Sequence, residues 1–158
     1  MLHNIEQLSE HDIAQKPAWL VNFCETYQSL SADSTFEELA LIYHHDVVFI
    51  DPMHQIEGLV KLTKYFSELY ENVPYCQFEI THSFYQHDHA AVYWLMTYQH
   101  TKLNSGKPIV VEGHSYLEAK GTKIIYHRDY IDLGQMLYQH VPVLGRIIAW
   151  LKARVKTV

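Results

Sequence analysis

Between Pro17 and Leu30 the apolar residues Leu20, Phe23, Tyr27 and Leu30 recur at the spacing of one helix face, and Pro17 suits a first helical turn. This predicts a first helix. Ser34-Thr-Phe-Glu37 has the form of a capping box and opens a short second helix through about Tyr43, with Phe36, Leu39 and Ala40 turned inward. Val47 to Ile50 then reads as a buried strand that stops at Asp51-Pro52, since proline has no N–H to give a ladder. Gly58 introduces a third helix, Leu59 to about Tyr70, with Leu62, Tyr65, Phe66 and Leu69 on one side, and Asn72-Val-Pro74 closes it.

From there the period falls from 3.6 to 2. Cys76–Gln86, Ala90–Lys102, Pro108–Lys120 and Lys123–Asp132 read as four strands, separated by His87-Asp88-His89, Asn104-Ser-Gly106 and Gly121-Thr122. Connections this short force antiparallel neighbours. The order of helices and strands gives an α+β domain in which a curved, mostly antiparallel sheet wraps over N-terminal helices. After Asp132, the residues Leu144, Ile147, Ile148, Leu151 and Val155 form an apolar stripe with Arg146, Lys152, Arg154 and Lys156 outside it, a C-terminal basic amphipathic helix over about 143–156. At 158 residues the chain fits one domain with one sizeable core. Residues 1–133 form that domain, and 134–158 are expected to be a helical extension packed on it.

Charge changes the picture in one place. Residues 1–145 carry all 18 acids and 8 of the 12 bases, about −10, whereas Arg146, Lys152, Arg154 and Lys156 make the tail +4 without an acid. The net −6 argues against a nucleic-acid role, which needs a basic surplus. Two isolated cysteines, Cys24 and Cys76, give neither a disulfide framework nor a zinc motif and read as core thiols. Neither a signal-peptide pattern nor a run of ~20 apolar residues is present, so a cytoplasmic location is the expectation. Among twelve histidines, His44-His45 and His87-Asp88-His89 have the spacing of opportunistic surface sites, and the expectation is no metal.

Counting by two along the strands places Phe49 and Asp51 on one inward face, then Trp94, Met96, Tyr98 and His100, then Glu112, His114 and Tyr116, then Ile125, His127, Asp129 and Ile131. If these faces converge, two carboxylates and two or three imidazoles sit among aromatic rings. A carboxylate there is pushed toward a higher pKa by desolvation and pulled back by a nearby imidazolium, which suits proton transfer next to a carbonyl. Phe49, Trp94, Met96, Tyr98, Tyr116 and Ile131 are the expected ligand-binding lining.

The segment His45-Asp-Val-Val-Phe-Ile-Asp-Pro-Met-His-Gln-Ile-Glu-Gly58 leading into a helix, within this order of elements, resembles the nuclear transport factor 2-like superfamily. Within it the chain looks most like the SnoaL-like polyketide cyclases and ketosteroid isomerases, over roughly Trp19 to Leu133. The resemblance implies a cone-shaped, cystatin-like α+β barrel with the C-terminal helix outside the common core. It implies further that Asp51 stands where the isomerases carry their general base, Tyr27 at their oxyanion-hole tyrosine, and His114 where they carry a protonated aspartate. His127 and Asp129 fall where the cyclases place acid/base groups, which tilts the expectation toward a cyclase. The implied chemistry is cofactor-independent catalysis on a small hydrophobic carbonyl compound, in a homodimer paired through an outer sheet face bearing Tyr93, Leu95, Thr97, Val111 and Leu117. A non-catalytic module binding a ligand or a protein is the alternative. Each site residue also has a plainer reading: turn chemistry for Asp51, packing for Tyr27, a self-satisfied histidine for His114, and a His127–Asp129 pair that satisfies only itself. The basic helix either seals the cone or dimer, or makes peripheral contact with a membrane.

Overall fold

A computed structural model describes residues 16–30 and 36–155. Its elements run α1 (Ala18–Ser29), α2 (Phe36–Ile42), β1 (Tyr43–Ile50), β2 (Gln55–Glu57), α3 (Leu59–Tyr70), β3 (Tyr75–Gln86), β4 (His89–Gln99), β5 (Ile109–Lys120), β6 (Lys123–Ile131), α4 (Leu133–Met136) and α5 (Pro142–Val155). The expected helices and strands are present within a few residues. The short β2 and α4 are additions, and Ser34 and Thr35 of the capping box lie outside the described residues.

One six-stranded sheet runs in the order β2-β1-β6-β5-β4-β3. The tight connections make β3 to β6 an antiparallel meander, and β1 lies parallel to β6 with Phe49 opposite His127. With β2 and β3 at its edges, the sheet is open rather than closed into a barrel. Ladder irregularities in β1, β3 and β5 bend it, as bulges do. Leu20, Phe23 and Tyr27 of α1, Leu39 and Ile42 of α2, and Leu62 of α3 are buried with Val47, Phe49, Val92, Leu117 and Ile124 of the sheet. Each such side chain contributes about 1.5–3 kcal/mol by leaving water. A second cluster, Tyr70, Val73, Trp94, Met96, Tyr98, Ile109 and Val111, continues the inner face toward the far end.

The inner face of β5 is the odd-numbered one. Ile109, Val111, Ser115, Leu117 and Ala119 are buried, and Val111 and Leu117 are fully so, which corrects their expected place on the outer face. Cross-strand pairing enforces this: inward Met96 and Trp94 lie opposite Val111 and Gly113. Gly113 is glycine for a steric reason, because a Cβ there would sit 2.3 Å from the Trp94 ring. Gly58, at φ 90°, occupies backbone space that other residues avoid and turns the chain from β2 into α3. No described helix is long and apolar enough to cross a membrane.

Candidate functional site

A cavity of about 340 Å³ opens between α1, α3, α4 and the inner face of the sheet. Phe49, Trp94, Met96, Tyr98 and Ile131, all expected ligand contacts, line it together with Phe66, Phe78 and Met136, which makes most of its wall apolar. Asp51, Tyr65, Asp129 and Tyr27 are among the polar groups on that wall. Burial raises the hydroxyls of Tyr27 and Tyr43 well above the ordinary tyrosine range, raises Tyr65 with help from its bond to Asp51, and pushes Tyr98 up to about 12. At neutral pH these hydroxyls keep their protons and serve as donors.

Asp129 is held from the sheet side. Ser115 Oγ donates to its Oδ1 at 2.5 Å and His127 Nε2 lies 2.7 Å from the same oxygen, while Trp94 Nε1 donates to Ser115 Oγ at 3.0 Å. An ionised carboxylate only accepts, so Nε2 carries the proton, and Nδ1 of a neutral ring then accepts from Tyr43 Oη at 2.6 Å. Tyr27 Oη, 2.8 Å from Tyr43 Oη, completes the line by donating to it. The chain therefore leaves the cavity wall at Tyr27, passes through two fully buried residues, and returns to the wall at Asp129. Its Oδ2 takes no hydrogen bond among the described residues.

Asp51 is held differently. Its Oδ1 accepts the backbone N–H groups of Met53 and His54, both at 2.7 Å, which closes the four-residue turn from β1 to β2. Its Oδ2 accepts from Tyr65 Oη, and His54 Nδ1 stands 3.4 Å from Oδ1. Turn closure and a place on the cavity wall are thus both properties of this residue.

His114 and Tyr116 do not join the site, nor does Glu112. They lie on the even-numbered, outer face of β5, where His114 stacks between Tyr93 and Tyr130 at centroid distances of 5.1 and 4.7 Å and Tyr116 bonds His89 and Glu118. Neither lines the cavity, so neither can touch a molecule inside it. In their place the structure supplies Ser115, Tyr43 and Tyr65. Ser115 shares the parity of Val111 and Leu117, which was the available signal. Among the described residues, one group brings three metal-capable side chains together: His44, His45 and Asp46, at the irregularity of β1 and off the cavity wall.

Residues 24–127 match the family model of the SnoaL-like domain. No curated protein matches the chain. Among solved structures, a candidate SnoaL-like polyketide cyclase from Jannaschia sp. CCS1 is similar over 78% of this chain and 93% of its own, at 14% identity and TM-score 0.69. A protein with a ketosteroid isomerase-like fold from Catenulispora acidiphila DSM 44928, solved in complex with trimethylamine, is similar over 80% and 94% at 15% identity and TM-score 0.67. An NTF2-like protein of unknown function from Burkholderia pseudomallei K96243 is similar over 80% and 99% at 8% identity and TM-score 0.69. At these identities the likeness establishes the fold.

Proposed function

The chain belongs to the SnoaL-like domain family, and on that footing we propose that its cavity is an acid/base active site for a small hydrophobic carbonyl compound, with Asp129 as the base. One observation carries the reading: Asp129 lines an apolar cavity with one oxygen anchored twice and the other without a hydrogen-bond partner among the described residues. A base needs a lone pair that is neither solvated nor consumed, held where the reacting C–H will lie. The family hosts cyclases and isomerases among its members, and both begin by moving a proton next to a carbonyl. The volume falls in the ~300–1,000 Å³ range of small-molecule sites.

In the proposed step Oδ2 of Asp129 takes the proton from the carbon beside the carbonyl. The C–H electron pair becomes the enolate π bond, and the carbonyl oxygen gains the negative charge. Tyr65, protonated and lining the same cavity, stabilises that oxygen by exchanging its bond to Asp51 for one to the ligand. His127 reaches the substrate only through Asp129 and is a positioning residue. Asp51, whose two oxygens already serve two amides and a phenol, is the less available of the two carboxylates and holds Tyr65 in place. The same satisfaction of every partner in the Tyr27–Tyr43–His127 chain favours the second reading, a binding module whose polar groups only satisfy one another.

Deuterium exchange beside the carbonyl of a bound ketone or lactone in D₂O separates the two. Asp129→Asn should keep binding and slow exchange roughly 10²–10⁴-fold. If a compound shown to bind in the cavity exchanges no faster with the wild type than with Asp129→Asn, the base assignment fails and the binding reading replaces it.

A further inference from the structure

Where α1 buries Trp19, Leu20, Phe23 and Tyr27 on the sheet, α5 leaves most of its apolar residues uncovered among the described residues. Val143, Ile147, Trp150, Leu151 and Val155 are between 49% and 77% exposed against the described residues, and Leu144 is 37% exposed. At 100° per residue these side chains fall, with Ile148, in one arc of about 160°; Arg146 and Lys152 lie just beyond its two edges, and Arg154 falls within it next to Val143. Gly145 sits on the opposite side, where a Cβ would meet the Gln139 carbonyl at 2.3 Å, so the helix touches the preceding turn with its small side. Arg154 stacks over the Trp150 ring at 4.1 Å. From Leu133 to Val155 there is no acidic residue. The same segment builds the cavity: Leu133, Met136 and Leu137 line it, and Tyr98 Oη donates to the Met136 carbonyl at 2.5 Å.

We propose that α5 is an interfacial helix that docks the protein on an anionic lipid surface and thereby holds the cavity beside the bilayer. Charge complementarity chooses the occupant. Bases on both edges of a largely apolar arc reach phosphate headgroups while the arc enters the acyl boundary; Arg154, folded over Trp150 at one edge, carries its charge to the headgroup depth where an indole also belongs. At 14 residues the helix is too short to span and long enough to lie in the plane. The family model ends at residue 127, so this device lies outside what the family match covers. The proposal stands whether or not the cavity moves protons.

The test is sedimentation of the full chain with vesicles of equal parts phosphatidylglycerol and phosphatidylcholine, against phosphatidylcholine alone, at low and high salt. Binding is expected to the anionic vesicles only and to weaken with salt. Trp19 and Trp94 are 7% and 2% exposed, so a blue shift of tryptophan emission on binding reports Trp150. The double variant I147E/L151E should keep the wild-type melting temperature and lose at least about hundredfold in partitioning. R146Q/K152Q should lose about tenfold, on the anionic vesicles alone. Absence of wild-type binding to anionic vesicles at low salt overturns the proposal. So does a fall in the melting temperature of I147E/L151E, which would show the arc packed on protein, or a dimer by light scattering that this variant dissolves, which would show a second copy covering it.

Discussion

His127 and His114 sit on neighbouring strands, each among tyrosines, on opposite faces of the same sheet. His127 is fully buried, and both its nitrogens are committed, one to Tyr43 and one to Asp129. Among the described residues His114 is held only by ring stacking, with Tyr93 and Tyr130 each more than 40% exposed beside it and Arg128 placed over Tyr130. The residue types are nearly the same and the physics is not. On the inner face, low dielectric makes every unpaired polar group expensive, so the groups there form a directed chain. On the outer face, next to solvent, an unpaired ring nitrogen is cheap, and stacking on tyrosines is enough to place the ring. A histidine beside tyrosines therefore marks a candidate site only once its face is known.

The comparison breaks most sharply on the two histidines themselves. His127→Leu leaves the Asp129 carboxylate without one donor and the Tyr43 hydroxyl without an acceptor, and should cost about 2–4 kcal/mol in urea unfolding. His114→Leu forfeits exposed stacking only and should cost under about 1 kcal/mol. Equal losses would show that the faces do not differ as described. A smaller effect is expected at Gly113, where the faces are set: Gly113→Ala puts a methyl into the Trp94 ring and should cost about 1–3 kcal/mol. The displaced indole should also lose its bond to Ser115, visible as a change in the near-ultraviolet circular dichroism of Trp94. An unchanged spectrum and melting temperature would mean that the sheet opens there at no cost.

Most of the architecture was legible because it follows from periodicity. The third helix was readable from Leu59 to Tyr70, as found, since Leu62, Phe66 and Leu69 repeat on one side behind a glycine that only a positive φ requires. The face of β5 was not legible from its chemistry-bearing residues. Glu112, His114 and Tyr116 drew attention, while the inward row hid its apolar character behind Gly113, which is small because Trp94 fills its space, and Ser115, which accepts a hydrogen bond from the same indole. That is a cross-strand fact, and counting along one strand does not contain it. The bond of Tyr65 to Asp51 was out of reach for a related reason: its partners lie on a helix and a turn, where parity says nothing about what a side chain touches. For α5 the amphipathic pattern was plain in the sequence. Periodicity left open whether that stripe seals the cone or a dimer or meets a membrane, because it shows that a face is apolar and not what covers it; among the described residues of one chain the stripe is exposed.

The finest comparison of the two faces is a titration. Cys76 lines the cavity, opposite Tyr98 in the β3–β4 ladder, and burial pushes its thiol up from 9.0 to about 11, against a smaller opposing effect of its bond to Tyr70. A raised folded-state pKa means that the fold prefers the neutral thiol, so this contribution is fully present below about pH 9 and is lost as the pH climbs toward 11. In that window the unfolded chain releases a proton that the folded chain keeps, and the unfolded state gains. Tyr98, pushed up to about 12, titrates beyond the window and leaves it readable. Unfolding free energies of the wild type and Cys76→Ala, measured at pH 8.5 and 10.5, should converge by about 1–2 kcal/mol at the higher pH. Comparing the two chains removes every other group that titrates alike in both. A difference that stays constant between the two pH values would place Cys76 in contact with water and take the far wall of the cavity off the inner face.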